Sequence, residues 1–385
     1  MKWKCLIGVM TGLLLWQPLW AAEVEPGSEA EPQRWMPERP WEVIEVAIIL
    51  DTSGSMESLI DAARLKLWEV VQDLSLLEPT PTLRVAILTY GNSENGSQSG
   101  WVRIETDLTE DLDLVSERLF ELTSGGGMEY VGRALKAALE GLTWADSGDA
   151  LRLIFVAGNE SADQDELVRF RDMADLARRE GIPVHALYCG QEQHEDALGW
   201  QELAELGWGQ FVAVDHRTGT VTVETPYDKE LAELSAAMNR TYLPAGEEGR
   251  KRHQNVVAQD ENAAKLSSAA AASRAEVKTR RVFSSGWDLV DASAADNATL
   301  AEVAEEDLPE ELQQLSPEER ELYIEQLRLE REELKQRIAE LSAERRQYVA
   351  AEMAAQGLDD SKAFDTALRQ AIRAEAEAKG FSPPE

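Results

Sequence analysis

Asp51, Ser53 and Ser55 alternate in the pentapeptide Asp51-Thr52-Ser53-Gly54-Ser55, directly after the apolar run Val43 to Leu50. A buried strand that ends in one carboxylate and two hydroxyls on a glycine-containing turn builds an oxygen-lined cup. Hard divalent cations such as Mg2+ or Mn2+ take that kind of donor set. The competing role for the same residues is helix capping, a common job for Asp and Ser between a strand and a helix.

The elements that must position this turn follow from periodicity. Apolar runs at Val43 to Leu50, Leu83 to Tyr90, Leu151 to Ala157, Pro183 to Tyr188 and Phe211 to Val214 predict buried strands, and Trp101 to Thr106 predicts an edge strand. Between them, Leu59, Ala62, Ala63, Leu65, Val70 and Leu74 place an apolar face on one helix. Further helices are expected at 111–122, 130–142, 165–180, 197–206 and 227–242. The alternation predicts an α/β fold with a doubly wound, mainly parallel sheet and helices on both faces, followed by a mostly α-helical C-terminal extension. Ligands of such sheets collect at the carboxyl ends of the strands, where Asp51, Gly91, Gly158 and Gly190 fall.

The Asp-x-Ser-x-Ser turn at the end of a first strand resembles the metal-ion-dependent adhesion site (MIDAS) of von Willebrand factor type A domains. By its pattern of elements the resemblance covers Trp41 to Leu243. The phrases Gly126-Gly127-Met128-Glu129-Tyr130 and Phe155-Val156-Ala157-Gly158-Asn159-Glu160 resemble those of secreted bacterial members. The resemblance implies a metal held by the first loop, by a Thr or Ser after a glycine pair in a second loop, and by an Asp after the fourth core strand. Here the first loop is intact, whereas Met128 stands in the hydroxyl slot and its soft thioether is a poor magnesium ligand. Glu129 replaces it if the loop shifts by one residue. Asn159 occupies the third slot with Glu160 beside it. The expected metal set is therefore Asp51, Ser53, Ser55, Glu129 and Asn159, with Glu160 and Met128 facing a partner. An ion held largely by neutral oxygens stays electrophilic and takes an acidic side chain from a protein partner, but a Glu129 ligand would weaken that capture.

Catalytic chemistry has less support. Ser53 and Ser55 lack a Gly-x-Ser-x-Gly elbow. His185, His194, His216 and His253 are scattered without zinc-ligand spacing. Gly125-Gly126-Gly127 lacks the Lys-Ser/Thr of a phosphate loop. The expected protein is not an enzyme.

The net charge of −34 over 385 residues argues against nucleic acid and anionic lipid as partners. Lys2, Lys4 and the apolar stretch Leu6 to Trp20, ending at Ala21-Ala22, predict a signal peptide over 1–22. Cys5 lies inside it, which leaves Cys189 alone in the mature chain, read as a buried structural thiol. Export without disulfides fits a bacterial periplasmic or extracellular protein with no membrane insertion after cleavage. Residues 23–40 read as a flexible leader and 41–245 as the type A domain.

Beyond it, 246–300 reads as an alanine-rich linker, helical or disordered, with an apolar island at Trp287. Residues 301–385 read as an acidic helical tail. Ser316-Pro317-Glu318-Glu319 is a helix-starting capping box. Leu327, Leu334, Leu341 and Tyr348 recur at heptad spacing with Ile324 and Ile338 on the alternate position, a coiled-coil-like seam interrupted by Arg331 and Arg345. A hairpin with Ala363 to Ala378, or a partner helix, is expected against it. The two functional expectations are a cation-dependent binder of an acidic group and a metal-independent scaffold or assembly factor of the bacterial envelope.

Overall fold

The computed structural model describes residues 42–146, 148, 150–214, 222–280, 286–294, 303–357 and 363–382. The expected signal peptide and leader, and His216, lie outside the described residues. Six strands form one sheet in the order β3-β2-β1-β4-β5-β6. They are β1 (Val43–Asp51), β2 (Thr82–Tyr90), β3 (Arg103–Thr109), β4 (Ala150–Gly158), β5 (Val184–Tyr188) and β6 (Trp208–Ala213). All pairings are parallel except β2 with β3. The sheet is the doubly wound one that the alternation predicts. Chain order reverses between β1 and β4, and Asp51 ends β1 at that switch.

Central strands of a parallel sheet are buried on both faces, which is why they read as continuous apolar runs. Ile44, Val46, Ile48 and Leu50 of β1 enter one core with Leu153 and Phe155 of β4. Ala47 and Ile49 enter the other with Ile154 and Val156. The second core is covered by α3 (Val131–Gly141), α4 (Phe170–Glu180) and α5 (Ala197–Leu206). The first is covered by α1 (Glu57–Ser75) and α2 (Leu112–Glu121).

The rest of that first face is closed from an unexpected place in the chain. The helix α6 (Asp228–Asn239), expected to complete the domain, packs instead with α7 (Gly246–Leu266) and α8 (Ser268–Val277). The sheet is covered by α12 (Phe364–Glu377), close to the C-terminus, which contacts α1, β4 and β5. Phe364, Leu368, Ala371, Ile372 and Phe381 join the same core as Leu50 and Leu187. Two backbone hydrogen bonds lock the end of the segment to the loop after α1: Glu78 N–H donates to Ser382 O at 2.9 Å and Ser382 N–H to Glu78 O at 2.8 Å. Arg369 and Arg373 both reach Asp73 of α1. The expected hairpin with the preceding long helix is replaced by this docking. The physical reason is the apolar face of α12, which the sheet buries and a charged helix would not.

The alanine-rich stretch is likewise packed. Every residue of α8 from Ala269 to Val277 is buried, because alanines let helices approach closely. Arg274 within it pairs with Asp113 of α2 at 2.6 Å and lies 4.4 Å over the Trp68 ring of α1. Lys278 pairs with Asp260 of α7 at 2.8 Å. The two cations hold the Asp260 carboxyl well below the usual carboxylate range against the opposing effect of its burial.

The long helix α11 (Pro317–Gln356) starts at the capping box, with Ser316 and Glu319 bonding reciprocally. Its seam faces inward. Arg331 is buried and pairs with Asp288 and Asp291, each at 2.6 Å, while Arg345 donates to Asp228 of α6 at 2.9 Å. The two seam breaks are thus ion pairs that dock α11 onto α6, α8 and the short α9 (Leu289–Ala294). The Trp287 island sits beside Tyr242 at 5.5 Å between ring centres, tied by Leu289 N–H to Leu243 O at 2.9 Å. A short helix, α10 (Glu310–Gln313), precedes α11. Among the described residues no helix is long and apolar enough to cross a membrane.

Candidate metal centre

Three loops meet at the carboxyl end of β1. Asp51 is fully buried, and its Oδ1 accepts from Ser53 N–H at 2.7 Å, which folds the first loop back onto the carboxylate. Thr52 fastens the same loop to the neighbouring strand, donating from N–H and hydroxyl to Tyr90 O at 2.9 and 3.1 Å. Ser53 Oγ and Ser55 Oγ lie 3.2 Å apart, Ser53 buried and Ser55 exposed. None of the three caps a helix: the residue before α1 is Met56, and no side chain bonds that helix start. The capping role set against metal binding is therefore not the one these side chains play.

The third loop reaches the first through Asn159, whose Nδ2 donates to Ser55 Oγ at 3.0 Å. The second loop delivers Glu129 rather than Met128. Glu129 is 5% exposed and Met128 41%, so the backbone between them turns the carboxyl inward and the thioether out. Gln164 holds this arrangement, accepting from Glu129 N–H at 3.1 Å and donating to Glu160 Oε2 at 2.7 Å. Glu160 itself is exposed at the rim, and its backbone carbonyl accepts from the Trp200 indole at 2.8 Å.

Gly91 makes the close approach possible. A Cβ there would stand 2.7 Å from Asp51 Oδ1 and 3.1 Å from Glu129 Cγ, and its φ of +77° belongs to the left-handed region that glycine tolerates. Gly91 was legible as a strand end but not as a wall of the site. Tyr90 was legible only as the last residue of a buried strand, and Gln164 had no sequence signal at all.

The electrostatics are those of acceptors facing one another. Burial pushes the Glu129 carboxyl up, and the Asp51 charge beside it adds to that. Burial also raises Asp51, against the hydrogen bond from Ser53 N–H. Asp51 Oδ2 and Asn159 Oδ1 are buried without a donor. A protonated Glu129 or a bound cation would relieve the facing of these two buried carboxyls.

Two donor-free buried oxygens, two hydroxyls and a second carboxyl suit a hard divalent cation. Asp51, Ser53, Ser55, Asn159 and Glu129 are the residues that would hold it. Among the described residues no three His, Cys, Asp or Glu side chains group into a metal site by themselves, because here hydroxyl and amide oxygens make up most of the donor set. Elsewhere, His185 is a core residue stacked on Phe155 at 4.5 Å, and burial pushes its imidazole down to about 4. Cys189 is buried, which raises its thiol. His194 lies 3.3 Å from the Tyr188 hydroxyl, and His253 packs on Tyr242 and Trp287.

Residues 45–206 match the family model described as the von Willebrand factor type A domain. A second model, also described as a von Willebrand factor type A domain, matches residues 289–383. Among its described residues that stretch holds α9 to α12 and no strand. No curated protein matches the chain in sequence.

Solved structures similar to it include proximal thread matrix protein 1 from the mussel byssus with a zinc-occupied MIDAS motif. That protein is 13% identical with a TM-score of 0.35, over 44% of this chain and 41% of its own length. The SpRpn10 VWA domain is 13% identical with a TM-score of 0.35, over 47% of this chain and 100% of that one. The pilus adhesin SpaC from Lactobacillus rhamnosus GG is 14% identical with a TM-score of 0.35, over 46% and 28%.

Proposed function

We propose that the chain is an exported, non-enzymatic binding protein of the bacterial periplasm or exterior whose type A domain holds Mg2+ or Mn2+ and through it an acidic group of a protein partner. The observation that carries the reading is the pair of buried oxygens without donors, Asp51 Oδ2 and Asn159 Oδ1, at the end of β1 beside Ser53 and Ser55. A cation there satisfies both oxygens and offers a remaining coordination position to a carboxylate. Met128 and Glu160 are exposed on the second and third loops beside it.

A specific observation also favours a second reading, a metal-independent scaffold or assembly factor of the envelope. Met128 stands exposed in the hydroxyl slot and Asn159 in the aspartate slot, and burial with the Asp51 charge raises the Glu129 carboxyl, so the site can hold a proton without metal. Retention of the full chain on immobilised Glu- and Asp-containing peptides tests the choice. The first reading expects retention in Mg2+, loss in chelator and loss in Asp51→Ala. Retention indifferent to both would overturn it in favour of the scaffold.

A further inference from the structure

We propose that the ion pair of Arg133 and Asp165 is the brace that sets the spacing of the second and third loops, and so positions their oxygens for the cation. The proposal rests on the cation-binding reading and adds to it two residues that hold the frame of the site. The two loops bring their donors from separate parts of the chain: Glu129 stands just before α3 and Asn159 just after β4. An ion of the magnesium type demands near-octahedral geometry, so donors on two loops serve it only when the loops are held at a fixed separation.

Arg133, in the first turn of α3, reaches across to the third loop. Its Nε donates to Asp165 Oδ2 at 2.5 Å and its Nη2 to Asp165 Oδ1 at 3.5 Å. Asp165 is buried, and its Oδ1 also accepts from Leu167 N–H at 3.0 Å and Val168 N–H at 3.2 Å. One carboxylate thus ties a turn of the third loop to the helix that follows the second. Its chain neighbour Gln164 joins Glu129 N–H to the Glu160 carboxylate, so the ion pair continues a crosslink that begins beside the candidate ligands. Among the described residues neither Arg133 nor Asp165 hydrogen-bonds a member of the metal set.

The guanidinium is itself held in place. It lies 4.7 Å from the centre of the Tyr130 ring, and that ring meets Trp101 edge-on at 5.3 Å. Two glycines leave the room: a Cβ on Gly100 would collide with Arg133 Cδ, and one on Gly132 with Val168 O, so α3 starts directly against the backbone of the third loop. An ion pair between two flexible surface side chains fixes little. Here the carboxylate side chain is 3% exposed and the guanidinium is stacked on a ring, which makes the link stiff enough to transmit position.

Titration of the full chain with Mn2+ tests this in wild type, Arg133→Gln, Asp165→Asn and the double variant, each checked for native circular dichroism. Each single substitution is expected to weaken Mn2+ binding about tenfold, the scale on which groups that orient metal ligands act. The double variant is expected to weaken it no further, because either change already breaks the same pair. Arg133→Lys keeps the charge and is expected to recover part of the loss. Asp165→Asn keeps an oxygen for the Leu167 and Val168 amides, so it reads the pair even where Arg133→Gln does not fold. In the metal-free chain, hydrogen exchange at the Glu129 amide is expected to quicken in Arg133→Gln while β1 stays protected; a role confined to the third loop quickens Leu167 and Val168 alone. Wild-type Mn2+ affinity in the folded single variants, additive losses in the double variant, or exchange confined to the third loop would overturn the proposal and leave the cation reading standing. No uptake of Mn2+ by the folded wild type would overturn the cation reading itself and the proposal with it.

Discussion

Asp51 and Glu129 carry opposite consequences for binding and for stability. Each carboxyl is raised by burial, so the folded metal-free chain grips a proton that the unfolded chain releases near the ordinary carboxylate pKa of about 4. A raised carboxyl contributes nothing adverse below that value and destabilises progressively as pH climbs from it toward the folded value. In chelator, the urea midpoint is therefore expected to fall between about pH 5 and about pH 8. Glu129→Gln flattens that slope, and Mg2+ removes it by replacing the proton. A chelated profile with the same slope in wild type and Glu129→Gln would contradict the role given to this pair. Asp260 works in the other direction: its lowered carboxyl supports the fold above the ordinary range and loses that support only as pH falls through it.

At the scale of elements, α12 decides what counts as the domain. Phe364, Leu368, Ile372 and Phe381 sit in the core beneath β1, whose last residue is Asp51. Losing even one such buried side chain costs about 2–5 kcal/mol. A chain ending before Phe364 is expected to unfold at a much lower denaturant concentration than the full chain, or to aggregate through the bared sheet; an unchanged midpoint would refute the packing.

The elements around the site were readable because each has a local cause. The β1 and β4 runs are apolar throughout since both faces are buried, and the Ser316 capping box marks α11 by itself. That Asp51, Ser53 and Ser55 sit together at the end of β1 followed from the strand-to-turn pattern together with the resemblance of the loop. The partners of α12 and of Arg331 were not, because pairings such as Arg369 with Asp73 or Arg331 with Thr241 join residues far apart in sequence, and no periodicity encodes which face covers which. Reading α6 as the closing helix failed for the same reason: its apolar stripe states that it packs, not where. Glu129 facing inward in place of Met128 depended on one peptide's orientation, which Gln164 and Gly91 impose from other loops.

Across the whole molecule the charge of −34 sets the terms of association. A negative field of that size draws cations toward the mouth of the site and opposes the approach of acidic groups. The long helix α11 spends its seam on intramolecular contacts with α6, α8 and α9, while its outer face carries the exposed Leu322 and Leu329.

The central claim, a divalent cation held by Asp51, Ser53 and Ser55 with Asn159 and Glu129, is most directly tested by calorimetric titration of the chelator-stripped full chain with Mg2+ and then Mn2+, beside Asp51→Ala. Saturable binding with about one ion per chain, absent in the variant, is the expected result for a single site of this donor type. No binding of either ion to the folded wild type, or binding that Asp51→Ala leaves intact, would contradict it.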